Sequence, residues 1–101
     1  MSGNRAYRKG ADFERRVRKI IESEGGFVVR SAGSKGVFDL IAIYPDGKIF
    51  GIQCKRSGSL SRKEIERMLD ISSKYPIIPI FATIKNRRIT FIDVRKIEKF
   101  K

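Results

Sequence analysis

The chain has no histidine and a single cysteine, and these two absences exclude several kinds of function. Without histidine, neither a serine or cysteine triad of the usual kind nor an imidazole-bound metal can form. One cysteine allows no intrachain disulfide and no thiolate zinc cluster. If the protein is an enzyme, its chemistry must therefore rest on carboxylates, lysine and a hard metal ion.

Long apolar runs are missing as well. No stretch of about 18 apolar residues is present, so no segment predicts a membrane span. The first ten residues, MSGNRAYRKG, lack the apolar run of a signal peptide. The sequence predicts a cytoplasmic protein that is not secreted.

Acidic residues are few relative to basic ones. Lys and Arg number 23 against 11 Asp and Glu, which gives a net charge of +12 over 101 residues. A field of this size favours a polyanionic partner, nucleic acid first and an anionic membrane surface second. The hydrophobic content of 41% is enough for a globular fold. We expect residues 1–9 to form a flexible basic arm and residues 10–101 a single domain.

The periodicity of apolar residues predicts two helices and five strands in the order α-β-β-β-α-β-β. The first helix is expected over 11–24, ended by Gly25-Gly26, and the second over about 62–74, with Ser61 as its N-cap and Glu64 completing a capping box. The fold class is α/β, with a mixed five-stranded sheet between helices. The strands are predicted at 27–31, in a hairpin within 37–55, at 78–84 and at 89–94, and a last helical segment at 95–100.

The hairpin within residues 37–55 carries the most informative polar residues. Pro45-Asp46-Gly47 is a turn signal between two apolar runs. A three-residue loop centred on Asp46 places Asp39 opposite Gln53, with Lys55 on the same face. The other face of the second strand, which carries Cys54, is predicted to be core.

An acidic residue followed by a [D/E]-x-K pair on the next strand is the metal site of the PD-(D/E)xK nuclease superfamily. Mg²⁺ prefers oxygen ligands, takes few of them from protein and leaves room for phosphate and water. Such an ion polarises the phosphodiester and lowers the pKa of the attacking water. Asp39, Gln53 and Lys55 fit this pattern, with an amide where an acid is usual.

Three further features allow more than one interpretation. Glu14 lies at the border of the buried stripe of the first helix, where it could be a site carboxylate or an i,i+4 partner of Arg18. The glycine-rich loop 31–36 could be a flexible connector or could place backbone amides, Ser34 and Lys35 near a phosphate. The Arg87-Arg88 turn could be a solvated turn or a phosphate contact.

The RKG segment at 8–10, the loop RSAGSK at 30–35 and the hairpin segments DLIA and IQCK occur in this order along the chain. Together they resemble the archaeal and archaeal-virus Holliday-junction resolvases, which belong to the PD-(D/E)xK superfamily. The resemblance covers about residues 8–100. The two distinctive motifs are the RKG start leading to Phe13-Glu14-Arg15 and the loop reading RSAGSK. The hairpin segments DLIA and IQCK, in 39–42 and 52–55, agree with them.

The resemblance implies a restriction-endonuclease-like fold and a homodimer that grips four-way junction DNA and cuts two opposed strands symmetrically. It further implies Mg²⁺, or Mn²⁺ as a substitute, held by Asp39, Gln53 and Glu14, with Lys55 serving the water or the phosphate. Without the C-terminal extension of cellular members, a dimer is expected to use surface such as residues 77–81. The residues expected at the DNA are Arg8, Lys9, Arg15, Arg30, Ser34, Lys35, Arg56, Arg87 and Arg88.

Gln53 is the main departure from the family pattern, because most relatives carry Glu there. An amide oxygen can ligate Mg²⁺ but brings no charge, and Glu64 or Glu66 of the following helix could compensate. Two functions stay open. One is a metal-dependent junction endonuclease, and the other is a DNA-binding module of the same fold with a degraded metal site. A basic ribosome-associated protein would explain the net charge alone.

Overall fold

The predicted order of helices and strands is found in the computed structural model, which describes residues 5–31 and 36–97 apart from the side chains of residues 5–9. A short 3-10 helix, Val94–Lys96, follows the last strand. The elements are α1 (Arg5–Ser23), β1 (Phe27–Arg30), β2 (Leu40–Ile43), β3 (Ile49–Cys54), α2 (Arg62–Lys74), β4 (Ile77–Lys85) and β5 (Arg88–Asp93).

The five strands form one mixed sheet, which confirms the predicted fold class. Their order in space, β1-β2-β3-β4-β5, is their order in the chain. Only β3 and β4 run parallel, and the other neighbours are antiparallel. A parallel pair needs a crossover connection, and α2 supplies it.

The sheet is covered by one helix on each face. Phe81 and Ala82 are adjacent in β4 and therefore point to opposite faces. Ala82 belongs to the core cluster that includes Phe13 and Val17 of α1. Phe81 belongs to the cluster that includes Met68 of α2. The apolar stripes predicted for α1 and α2 therefore pack against opposite faces of the sheet and form its two cores.

The hairpin has the predicted register. Leu40 pairs with Ile52 across the β2–β3 ladder, in line with a three-residue loop centred on Asp46. The Tyr44 N–H donates to the Lys48 carbonyl at 2.9 Å. Gly47 closes the loop at φ +92°, a conformation that glycine adopts without steric cost.

Helix α1 begins earlier than predicted, at Arg5 rather than near Ala11. Residues 5–9, predicted as part of a flexible arm over 1–9, are therefore helical, and residues 1–4 lie outside the described residues. The composition of 5–9, Arg-Ala-Tyr-Arg-Lys, contains several strong helix formers, and the lack of apolar periodicity concealed this. The end was predicted correctly, because Gly25 lies just past the helix at φ +96°.

Helix α2 has the predicted N-terminus. Ser61 and Glu64 exchange side chain to backbone hydrogen bonds at 3.1 and 2.7 Å, which is a complete capping box. The predicted C-terminal helical segment is observed only as the 3-10 helix, and residues 98–100 lie outside the described ranges. Neither described helix is long and apolar enough to cross a bilayer.

Residues 77–81 are the segment that was expected to contribute to a dimer surface. They lie in β4, which pairs with β3 on one side and β5 on the other. Phe81 is only 5% exposed because it packs into the α2 core. Ile77, Ile78 and Ile80 are half-buried, and use of this segment by a dimer stays a prediction.

Candidate active site

The strand directions bring most of the predicted site residues to one end of the sheet. Arg30 is the last residue of β1, Asp39 immediately precedes β2, and Lys55 immediately follows β3. Since β1 and β2 are antiparallel, as are β2 and β3, these three positions meet at the same end. The Pro45–Gly47 loop lies at the opposite end.

Asp39 is held by the backbone of β3. Its N–H donates to the Ile52 carbonyl at 2.8 Å, and its Oδ2 accepts the Cys54 N–H at 2.8 Å. Burial raises the pKa of Asp39, opposed by the Cys54 N–H and by the charges of Lys55 and Arg30. The last pair of the described β2–β3 ladder is Leu40 with Ile52, and Asp39 is the residue directly before Leu40 in the chain.

Glu14 reaches this region from α1 and binds across to β1. Its Oε1 lies 3.3 Å from Arg30 Nε, and within the described residues this is its ion pair, so the alternative pairing with Arg18 is not observed. Burial raises the pKa of Glu14, and the charge of Asp39 raises it further. The two carboxylates therefore lie near enough to repel each other.

Lys55 is held by a carboxylate from α2. Its Nζ lies 2.9 Å from Glu64 Oε1, and the same oxygen accepts the Ser61 N–H at 2.7 Å. Burial alone would raise the pKa of Glu64, but the Ser61 N–H and Lys55 hold it below its ordinary value. The capping interpretation of Glu64 is thus correct, and its ion pair with Lys55 was not predicted.

Gln53 lies on the α2 side of the site. It is half-buried and borders a polar cleft of about 150 Å³ that is also lined by Gly36, Val37, Glu64 and Arg67. Glu66, the other carboxylate considered for compensation, is paired with Arg62 at 3.4 Å on the exposed face of α2. Arg67 was not predicted, because its place in the cleft depends on how α2 docks.

The donor set fits a hard divalent cation with few protein ligands. Within residues 5–31 and 36–97, no group of three or more Asp, Glu, Cys or His side chains converges. The site instead offers the two carboxylates of Glu14 and Asp39, and Mg²⁺ commonly binds through one or two carboxylates. A cation between Glu14 and Asp39 would offset the charge of Asp39, which raises the pKa of Glu14.

Basic residues surround the same end of the sheet. Arg56 follows Lys55 directly and is exposed. The β4–β5 turn extends further, since Asn86 lies four residues beyond Ala82, the partner of Cys54. At about 3.3 Å per residue this is roughly 13 Å. The exposed Arg87 and Arg88 therefore project past the site on this side.

The remaining predicted DNA contacts are placed in part. Arg15 is exposed on α1 and pairs with Asp12 at 2.8 Å. Arg8 and Lys9 fall within α1, but their side chains are outside the described structure, as are Ser34 and Lys35 entirely. The sequence suggested Arg18 only as a partner of Glu14. In the structure, Arg18 lines a small cleft together with Arg15 and Arg30.

Comparisons with known proteins bear on the family and the fold of the chain. The model of the family described as archaeal Holliday junction resolvase (Hjc) matches residues 5–101. The chain is 38% identical over 91 residues to the crossover junction endodeoxyribonuclease Hjc of Methanocaldococcus jannaschii, covering 86% of this chain and 67% of that protein. The structure of Archaeoglobus fulgidus Hjc, a Holliday junction resolvase, superposes with a TM-score of 0.70 at 22% identity. That match covers 86% of this chain and 74% of the other.

Proposed function

The chain belongs to the archaeal Holliday junction resolvase (Hjc) family, its Methanocaldococcus jannaschii relative is named crossover junction endodeoxyribonuclease, and on this basis we propose how the chain cuts DNA. We propose a metal-dependent, structure-selective endonuclease that resolves four-way junctions by paired, symmetric phosphodiester hydrolysis. The observation that carries the proposal is the convergence of Glu14, Asp39 and Lys55 at one end of the sheet.

The metal is proposed to be Mg²⁺, with Mn²⁺ as a substitute, held by Asp39, Gln53 and Glu14. When bound, the ion supplies Lewis-acid activation of the phosphodiester and lowers the pKa of the attacking water. The backbone N–H of Cys54 fixes one oxygen of Asp39, which leaves the other oxygen of that carboxylate to face the ion. Gln53 contributes a neutral oxygen, so metal affinity is expected to be lower than with a glutamate there.

Lys55 is proposed as the catalytic cation. It donates to the attacking water or to a phosphate oxygen and so offsets the negative charge that builds up in the transition state. The ion pair with Glu64 limits where its ammonium group can lie. Glu14 and Arg30 form the wall of the site on the α1 side, where the guanidinium can also reach a DNA phosphate.

The proposed DNA surface is the same basic end of the sheet. Arg56 lies on it directly after Lys55, and the turn that carries Arg87 and Arg88 extends further beyond the carboxylates. Contacts of this kind read phosphate positions and branched shape and give little base readout. We further propose a homodimer, because two sites related by a twofold axis match the symmetry of a four-way junction.

The test is cleavage of a labelled four-way junction, with linear duplex beside it, in Mg²⁺ and in EDTA. Wild type is expected to make paired, symmetric nicks in the junction only, and only with metal. Asp39→Asn is expected to lose at least about three orders of magnitude in rate and to keep junction binding. If wild type binds the junction tightly but makes no nicks, the protein is instead the DNA-binding module. The amide of Gln53, at a position where most relatives carry Glu, is the reason to test for this outcome.

A further inference from the structure

A small polar cleft lies next to the proposed active site on the α1 side, and its charge is unbalanced. It has a volume of about 60 Å³ and is lined by three arginines, one glutamate and two apolar residues. Such a volume admits groups the size of water, such as the oxygens of one phosphate, and excludes a nucleobase. The lining residues are Ala11, Glu14, Arg15, Arg18, Arg30 and Leu40.

Two of the three guanidinium groups already have a carboxylate partner. Arg30 pairs with Glu14 at 3.3 Å, and Arg15 pairs with Asp12 at 2.8 Å. Arg18 differs, because its Nε is enclosed and has no hydrogen-bond partner among the described residues. The enclosed Nε is not itself open to a ligand, but Arg18 lines the cleft and has no ion pair among the described residues, so a phosphate oxygen that enters the cleft would be bound favourably by its other guanidinium N–H groups.

The helix explains why Arg18 lies here. Residues 14, 15 and 18 are spaced i, i+1 and i+4, so Arg18 lies one turn along α1 from Glu14 on the same side. Glu14 lines this cleft, and it is also one of the two carboxylates of the proposed active site, since the charge of Asp39 raises its pKa. A DNA strand with one phosphate at the carboxylates would therefore place a neighbouring phosphate over the cleft.

We propose that Arg18, with Arg15 and Arg30 beside it, forms a subsite for a DNA backbone phosphate next to the scissile one. This inference rests on the proposed function for its ligand, because DNA is the polyanion that would occupy the cleft. It assigns Arg18 to binding and to the placement of the strand, and it assigns no chemistry to Arg18. The subsite uses only non-covalent contacts and adds no step to hydrolysis.

The first experiment measures junction affinity against salt concentration in EDTA, so that no cleavage occurs. Arg18→Gln is expected to weaken binding by about tenfold, the loss of one charge-assisted hydrogen bond. The slope of log affinity against log salt is expected to fall by about 0.9, the value for one phosphate contact. Arg18→Lys keeps the charge and is expected to keep the slope.

The matched control is Lys48→Gln, which removes the same charge at the far end of the hairpin, where Lys48 is exposed. Its slope is expected to equal that of wild type. An equal fall in slope for both variants, or no fall for Arg18→Gln, would overturn the subsite. Circular dichroism checks that each variant is folded before its affinity is measured.

A second experiment uses the wild-type protein and needs no stable Arg18 variant for its outcome. The side-chain Nε–Hε signal of Arg18 is followed by ¹H–¹⁵N NMR during titration with inorganic phosphate. A saturable shift of that signal supports the subsite, and a signal that stays in place overturns it. Both experiments are independent of cleavage, so an inactive wild type would refute the proposed nuclease without deciding the subsite.

Discussion

Lys55 Nζ and Glu64 Oε1 lie 2.9 Å apart, and the same carboxylate oxygen closes the capping box of α2. One side chain therefore fixes both the start of a helix and the position of the proposed catalytic lysine. Positioning groups of this kind influence rate through the geometry of the group they hold. Glu64 can be tested separately in its two roles.

Glu64→Gln is expected to lower the single-turnover cleavage rate by about tenfold while junction affinity stays unchanged. The amide oxygen can still accept the Ser61 N–H, but it no longer offers a charge to Lys55. The control is Ser61→Ala, which removes the other half of the capping box and costs about 1 kcal/mol of stability. That variant should cut at the wild-type rate, and wild-type cutting by Glu64→Gln would show that Lys55 needs no such partner.

Gln53→Glu is expected to tighten Mg²⁺ binding by at least about tenfold and to leave or raise the cleavage rate. A full charge beside a divalent ion contributes more than the roughly 1.4 kcal/mol that a tenfold change requires. Isothermal titration calorimetry on DNA-free protein measures the affinity. Gln53→Met, of similar volume but without an oxygen, is expected to weaken binding. Loss of cleavage in a folded Gln53→Glu protein would mean that this position does not face the metal.

Asp39→Asn is expected to raise the melting temperature of the metal-free protein near neutral pH. The folded pKa of Asp39 is raised above its ordinary value of 3.8, chiefly by burial. The folded state then binds more protons than the unfolded state, so stability falls as pH rises through the interval above 3.8 and stays lower beyond it. Asparagine removes this penalty and still accepts the Cys54 N–H.

Thermal unfolding in EDTA from pH 3 to pH 8 checks this prediction. The control is Asp46→Asn in the β2–β3 loop, which removes the same charge far from the site. Adding Mg²⁺ should stabilise wild type and leave Asp39→Asn unaffected, since binding to the native state alone is stabilising. A melting temperature for Asp39→Asn below wild type throughout, with Asp46→Asn unchanged, would contradict the raised pKa.

Gly51→Ala is expected to destabilise the protein by about 1–3 kcal/mol, as overpacking of a core does. A Cβ at Gly51 would lie 2.6 Å from two carbons of the Phe38 ring. Gly10→Ala is the matched change in α1, where a Cβ meets no atom of the described residues within 4 Å. It is expected to add roughly 0.5–1 kcal/mol of stability, because glycine is unfavourable inside a helix. Urea unfolding monitored by circular dichroism measures both.

The hairpin and the helix caps were predictable because their signals are local. Pro45-Asp46-Gly47 specified the loop, and the loop fixed the register that brings Asp39 to β3. Ser61 and Glu64 specified the start of α2 from two residues. The helical start of α1 was missed because residues 5–9 carry no apolar stripe, and propensity alone is a weak signal.

Contacts between distant elements were the part that the sequence left open. The pairing of Glu14 with Arg30 depends on how α1 crosses the sheet. That of Lys55 with Glu64 depends on how α2 docks. Helical periodicity does put Arg18 on the same side as Glu14, but it cannot show that the enclosed Nε lacks a partner. Likewise, the apolar segment 78–84 predicts a strand but does not show that β3 and β5 lie on either side of it.

The parallel crossover between β3 and β4 also sets an order of assembly. The β2–β3 hairpin closes a loop of a few residues, an event that takes microseconds. Pairing β4 beside β3 closes the longer crossover that contains α2, and such non-local pairing is slow. Asp39 and Lys55 can therefore meet early in folding, whereas Glu14 and Glu64 arrive only when α1 and α2 dock. A chain still emerging during synthesis would carry an incomplete site, and nuclease activity would begin only once the tertiary fold is complete.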